Sequence, residues 1–258
     1  MRGGLAVVMA ASAALVGAAP APRAPAPGYL GAALPDSVRI LPPAPTAGGA
    51  RYLTDRTLFL ETRRLKDSPR WRLAQDDVDQ SAILKDMACA VGVELTERNA
   101  PRTRALLARV LADDRDAANR AKDAFKRQRP YLIDEGPTCQ EKTASLAASP
   151  DYPSGHATWG WSVGLILAEL APDRATEVLV RARAYGESRL VCGVHNLSAV
   201  EAGRTNASVV VAALHGNPDF RRDLDAARKE VAAARASGPA PDPAGCAAEA
   251  ALTAASPY

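Results

Sequence analysis

Apolar residues recur along most of the chain at helical spacing. Thr54 and Asp55 precede Leu58, Leu60 and Leu65, and Ser68-Pro69 has the form of an N-cap followed by proline at the first helical position, ahead of Trp71. Both predict helix starts. Residues 77–91, with Val78, Ile83, Leu84 and Met87, predict another helix, as do residues 99–110, with Pro101 early and Leu106, Leu107 and Val110 on one side. Residues 157–170 are apolar nearly all round, the pattern of a central buried helix, and 173–189, 198–214 and 220–235 read as further helices. Between Tyr131 and Pro153 the breakers Gly136-Pro137, Ser149-Pro150 and Pro153 leave no apolar period, which predicts loop. No segment alternates like a strand, and no internal repeat is present. The expected fold is an all-α single-domain helical bundle over residues 51–236. An extended tail over 237–258 follows, set by Pro239, Pro241 and Pro243.

The N-terminal residues change the setting of that domain. Arg2 is followed by an uncharged apolar stretch over 5–16 and then by Gly17, Ala18 and Ala19, too short a run for a membrane span and shaped like a secretory signal cleaved before Ala19. Residues 1–18 are therefore read as a signal peptide and 19–50, rich in Pro and Ala, as a tether. The mature protein is expected to be periplasmic, with no membrane association after cleavage. An oxidising compartment changes the reading of Cys89, Cys139, Cys192 and Cys246 as well, because an even number of widely spaced cysteines with no C-x-x-C pair points to disulfides and away from zinc. Three pairings of four cysteines exist; the sequential one, Cys89 with Cys139 and Cys192 with Cys246, is the preferred expectation, each bridge worth about 4 kcal/mol in the chain-entropy model.

Charge excludes one class of partner. The 258 residues hold 32 Lys plus Arg against 29 Asp plus Glu, and no basic cluster of the kind that tracks a phosphate backbone occurs, so nucleic acid is not an expected partner. Small phosphorylated ligands are. Three short segments carry the chemistry: Lys122 to Arg129-Pro130, Pro153-Ser154-Gly155-His156, and Ser188-Arg189 to His195. Lys122, Arg129 and Arg189 suit a dianion, the arginine forks by bidentate hydrogen bonds and the lysine as a point charge. Ser154 and Gly155 just before a helix offer a hydroxyl and unobstructed N–H groups at its positive end. Taken singly, a basic residue on a helix is a solvated charge, Pro-Ser-Gly is turn chemistry, and a lone His is a surface or core residue. The joint occurrence and order of the three segments carries the weight.

Lys-x6-Arg-Pro, Pro-Ser-Gly-His and Ser-Arg-x5-His together resemble the three-part signature of the phosphatidic acid phosphatase type 2 and haloperoxidase superfamily. The text around them, Tyr152 to Ala157 and Gly186 to His195, looks like the class A bacterial nonspecific acid phosphatases, with similarity running from about Leu53 to about Leu214. The resemblance implies an exported helical enzyme with no cofactor and no metal. It implies His195 as nucleophile forming a phosphohistidine, His156 as general acid, and Lys122, Arg129, Ser154, Gly155 and Arg189 as ligands of the phosphoryl oxygens. Members of the family often self-associate, so a homo-oligomer is in keeping with it.

One position departs. The family signature continues from the nucleophilic His through three residues to an Asp that accepts from the other ring nitrogen, and here that position is Ala199. Asn196-Leu197 stands where an aromatic and a Gln are usual. Glu201, the nearest carboxylate along the helix, points about 200° away from position 199. Loss of such a carboxylate costs up to about ten-thousandfold in the serine-protease case. Two expectations follow: an acid phosphatase with reduced turnover, or a degenerate relative that binds phosphate or phosphoesters without turning them over.

Overall fold

The computed structural model describes Gly3 and residues 26–258. Apart from Gly3, the expected signal peptide and the tether up to residue 25 lie outside the described residues. The body is built from eight longer helices: α1 (Ala50–Thr62), α2 (Pro69–Asp76), α3 (Pro101–Phe125), α4 (Gly155–Leu170), α5 (Ala175–Val191), α6 (Leu197–Leu214), α7 (Pro218–Ser237) and α8 (Pro243–Thr253). There is no strand among the described residues, and none of their helices is long and apolar enough to cross a membrane.

Local chemistry starts α2 and α7 close to where the sequence indicates, whereas α1 opens at Ala50 and not at Thr54-Asp55, which lie inside it with Asp55 buried. Ser68 caps α2 by accepting from the Trp71 N–H, and Asn217 caps α7 by accepting from the Asp219 and Phe220 N–H groups, each with proline in the first turn. Helix α4 is the hub, flanked by α3, α5 and α6, with Val163, Ile166 and Leu167 fully buried. Each such side chain contributes about 1.5–3 kcal/mol relative to exposure. Close approach on two sides depends on glycine. A Cβ at Gly160 would lie 2.3 Å from the Tyr185 ring of α5, and one at Gly203 of α6 would lie 2.6 Å from the Ser154 carbonyl, so α4 is clasped at its N-terminal end.

Several expectations need correction. The 77–91 segment is not one helix but a 3-10 turn (Gln80–Ala82) and two short helices (Ile83–Asp86, Ala88–Val91). The Asp77 and Gln80 carbonyls are drawn away to His156 Nε2 and Trp159 Nε1, and Asp79 binds the Ser81 N–H, so the backbone here serves neighbours instead of a ladder. Helix α3 runs fifteen residues past Val110 to Phe125, because its buried stripe continues through Ala117, Ala118 and Ala121 and through the buried carboxyls Asp113 and Asp114, which hide the period. Packing also begins well before residue 50. Tyr29, Leu30 and Leu34 belong to the core, the Tyr29 and Leu30 N–H groups donate to Asp113, and Arg109 stacks on the Tyr29 ring.

The tail is not extended throughout. Asp242-Pro243 opens α8, with the Asp242 carboxylate accepting from the Ala244 and Gly245 N–H groups. The disulfides are Cys89–Cys246 and Cys139–Cys192, the opposite of the sequential pairing. Helix α8 lies against α5 and the Ala88–Val91 turn, which brings Cys246 to Cys89, while the loop after Pro137 crosses the end of α5, where the Cys139 N–H donates to the Cys192 carbonyl. Topology, not proximity along the chain, sets the partners.

Candidate active site

Five structural elements meet at one cleft of about 290 Å³. Lys122 comes from the last turn of α3, Arg129 from the segment after the left-handed Lys126, and Gly155 and His156 from the first turn of α4. Arg189 comes from the last turn of α5 and His195 from the turn between α5 and α6. All six line the cleft together with Gln140, Asn119 and Asp114. Ser154, the seventh residue expected there, does not: it is fully buried behind Gly155, and its Oγ accepts from the Ala157 N–H as the cap of α4.

The cations are held back from one another by carbonyls. Lys122 donates to the Pro150 carbonyl, and burial followed by the Arg129 charge pulls its ammonium down to about 7, with Asp151 opposing. Arg129 donates from Nε to the Ser149 carbonyl at 2.7 Å and from Nη1 to the Val194 carbonyl at 2.8 Å. Arg189 gives Nη2 to Gln140 Oε1 at 2.7 Å, leaving Nε and Nη1 buried with no partner among the described residues. Burial lowers its guanidinium to about 10, which still leaves it charged at physiological pH. Two orphaned guanidinium donors beside a second arginine and a lysine are the donor set of an oxyanion site.

The His195 ring sits between a cation and a carboxylate. Arg129 Nη1 lies 3.1 Å from Nε2, and because guanidinium only donates, Nε2 is the acceptor and the ring is the neutral Nδ1–H tautomer. That Nδ1–H donates to Asp151 Oδ1 at 2.9 Å. Burial, then Arg129, Lys122 and Arg189, hold the His195 pKa well below the usual histidine range. Asp151 is itself fully buried and accepts from the Asn196 N–H and, on Oδ2, from Asn196 Nδ2 at 2.8 Å. Arg127 Nη1 pairs with the same carboxylate at 3.5 Å while Nη2 reaches Asp55, which in turn holds Ser198.

His156 is anchored differently. Its Nε2 donates to the Asp77 backbone carbonyl at 2.6 Å, and its ring stacks on Tyr185 with centroids 4.7 Å apart. Burial and then Arg189 depress its pKa strongly. The Asp77 carboxylate below is paired with Arg181 and accepts from Ser188, which also takes a hydrogen bond from Arg70. Glu249 of α8 closes the far side of Arg181 at 3.1 Å.

Comparison with known proteins gives the family. The PAP2 superfamily pattern matches residues 105–222. An acid phosphatase of Zymomonas mobilis is 46% identical over 210 residues, 80% of each chain. A non-specific acid phosphatase of Providencia stuartii is 36% identical over 201 residues, covering 76% of this chain and 81% of that one. One of Salmonella typhimurium is 33% identical over 195 residues, 74% and 78% of the two chains. The chain belongs to the class A nonspecific acid phosphatases.

Within this phosphatase, sequence reasoning missed the groups that hold the histidines. Asp151 precedes the Pro-Ser-Gly-His motif by two residues, and a search for carboxylates near all three motifs, instead of along α6 alone, would have found it. Glu201 is on the surface, paired with Arg51 at 2.7 Å, and takes no part. Asp77 and Arg127 gave no signal, because a carboxylate and an arginine in helical text read as solvated charges. His215 pairs with Glu169 and lies outside the cleft.

Proposed function

We propose that this acid phosphatase is exported and hydrolyses small phosphate monoesters through a phosphohistidine at Nε2 of His195. The observation that carries the reading is the His195 ring itself, neutral, with its Nε2 lone pair beside Arg129 in the cleft and its Nδ1–H tied to a carboxylate. Nε2 attacks phosphorus as the ester P–O bond breaks, and the departing oxygen takes a proton from Nδ1 of His156, whose Nε2–H stays on the Asp77 carbonyl. Water then attacks phosphorus, giving its proton to His156, as the P–N bond breaks and its electron pair returns to Nε2 of His195, releasing phosphate. Lys122, Arg129, Arg189 and the Gly155 N–H hold the equatorial oxygens, and this fixed positive charge stands in for a metal. A bound dianion raises the depressed His156 pKa toward protonation, which favours turnover on the acid side of neutrality.

The expectations of weak turnover or of mere binding rested on Ala199. A carboxylate on Nδ1 supplies what position 199 lacks, so the reading adopted here is turnover without that handicap. Export is supported by the pattern of residues 1–18 and by two disulfides. The deciding experiment is hydrolysis of p-nitrophenyl phosphate by the mature protein at mildly acidic pH in excess EDTA, beside His195→Ala. EDTA-resistant turnover lost in the variant supports the proposal; no turnover above the variant returns the binding-only reading. N-terminal mass analysis of the periplasmic protein checks cleavage before Ala19.

A further inference from the structure

We infer that Asp151 is the positioning residue of the nucleophile, a carboxylate moved from the α6 side of His195 to the segment that leads into α4. The inference rests on the phosphohistidine reading above. Positions 151 and 199 are neighbours in space: the Ser154 N–H donates to the Ala199 carbonyl at 2.9 Å, so residues 151–154 run against the first turn of α6. A carboxylate projecting from either backbone reaches the same face of the His195 ring. Here the first turn of α6 is apolar, with Ala199 fully buried in a cluster with Leu41, Ala121, Tyr152 and Ala202, and the neighbouring segment 151–154 carries the acid.

Two of the departures from the family pattern, Ala199 and Asn196, form one coupled set with Asp151. Asp151 accepts the Nδ1–H, Ala199 vacates the place a second carboxylate would occupy, and Asn196, where an aromatic is usual, gives both its N–H and Nδ2 to Asp151. No aromatic side chain supplies that amide. Arg127, held in turn by Asp55, supports the charge from behind. With Nδ1–H fixed on Asp151, the Nε2 lone pair is presented to phosphorus. When Nε2 becomes phosphorylated and the ring cationic, the same carboxylate stabilises it. Asp151 touches neither substrate nor the reacting atoms; it acts through His195.

The test compares four proteins: the parent, Asp151→Asn, Ala199→Asp, and the double variant, assayed with p-nitrophenyl phosphate and with inorganic phosphate as inhibitor. Asp151→Asn is expected to lower kcat by about 10²- to 10⁴-fold, in line with loss of a tautomer-fixing carboxylate elsewhere, with KM and phosphate inhibition within about threefold because Lys122, Arg129 and Arg189 make their hydrogen bonds to other groups. Ala199→Asp alone is expected to give no gain, since two carboxylates on one nitrogen repel. In the double variant it is expected to restore at least about tenfold over Asp151→Asn by re-creating the family arrangement. The inference is overturned if Asp151→Asn keeps kcat within about threefold of the parent, if Ala199→Asp alone raises kcat about tenfold, or if Asp151→Asn raises KM in step with a loss that the double variant does not recover. Should Asp151→Asn not fold, the Ala199→Asp single variant still decides. A His195→Ala control that retains parental turnover sinks the phosphohistidine reading itself, whereas its loss beside an unaffected Asp151→Asn sinks only this inference.

Discussion

The turn between α5 and α6 and the first turn of α4 each present one histidine to the same cleft, and they hold it by different means. His195 leans on a buried carboxylate backed by Arg127 and Asn196, whereas His156 leans on a neutral backbone carbonyl and an aromatic face. Burial and the cleft cations depress both pKa values. On the mechanism proposed above, a carboxylate supports a ring that becomes cationic while carrying a phosphoryl group. A carbonyl fixes direction without fixing charge, which suits a ring that gives and retakes a proton each cycle. The proposed nucleophile is thus stabilised, and the proposed proton carrier is left dependent on what occupies the cleft.

The largest effect that tests this contrast is His195→Ala, expected to lower kcat by at least about 10⁴-fold and to abolish the acid-labile, alkali-stable phosphoenzyme that a base quench of labelled substrate is expected to trap in the parent. In kcat/KM, which reports phosphoryl transfer and not the shared hydrolysis of the phosphoenzyme, His156→Ala should be leaving-group dependent: about 10²- to 10⁴-fold on an alkyl phosphate, whose alkoxide needs the proton, and much less on p-nitrophenyl phosphate. Equal losses on both substrates would refute the assignment of general acid. Arg181→Met leaves Asp77 buried and uncompensated, and is expected to destabilise by about 3–5 kcal/mol in urea unfolding. Its residual activity should fall more on alkyl than on p-nitrophenyl esters, because Asp77 anchors His156. Removing the Cys89–Cys246 bridge by a double Cys→Ser change opens a loop spanning 157 residues, worth up to about 5 kcal/mol in the chain-entropy model, while pNPP turnover well below the melting range changes little.

The smallest effect is on the pH dependence of melting. Both histidines have folded pKa values below those of the unfolded chain, so this part of the stability is present above the unfolded value and is lost as pH falls from about 6.5 toward the folded values. Lys122 acts in the same sense at higher pH, its contribution fading from about 10.5 down to about 7. The Tm of the free protein should therefore fall between pH 7 and pH 5, and phosphate should recover more of it at the lower pH. An increment from phosphate that shrinks on acidification would contradict the depressed pKa values.

Much of this was legible before any coordinates. Among the helices with clear apolar periods, α4, α6 and α7 emerge within two residues of their expected bounds, and α2 starts at the expected Ser68-Pro69. The three motifs locate six of the residues lining the cleft. What escaped was polar and buried: Asp113 and Asp114 broke the visible stripe of α3, Asp77 and Arg181 looked like surface charges, and Asp151 stood outside the motif that it serves. Pattern reading assigns charge to solvent, so it fails where a carboxylate is sunk to hold another side chain. Disulfide pairing escaped for another reason, because it depends on which helix ends meet and not on spacing along the chain.

The Cys89–Cys246 bridge has a consequence for proteolysis. The exposed link between α7 and α8, residues 239–242, holds two prolines and is tied to the body by a hydrogen bond from the Glu94 N–H to the Pro239 carbonyl. A protease that cuts this link does not release α8, because the bridge keeps the fragment attached and Glu249 stays on Arg181. Such a nick adds only one water to the mass of the unreduced protein, and the fragment leaves only when a reductant frees it. Intact and clipped molecules therefore separate only on a reducing gel.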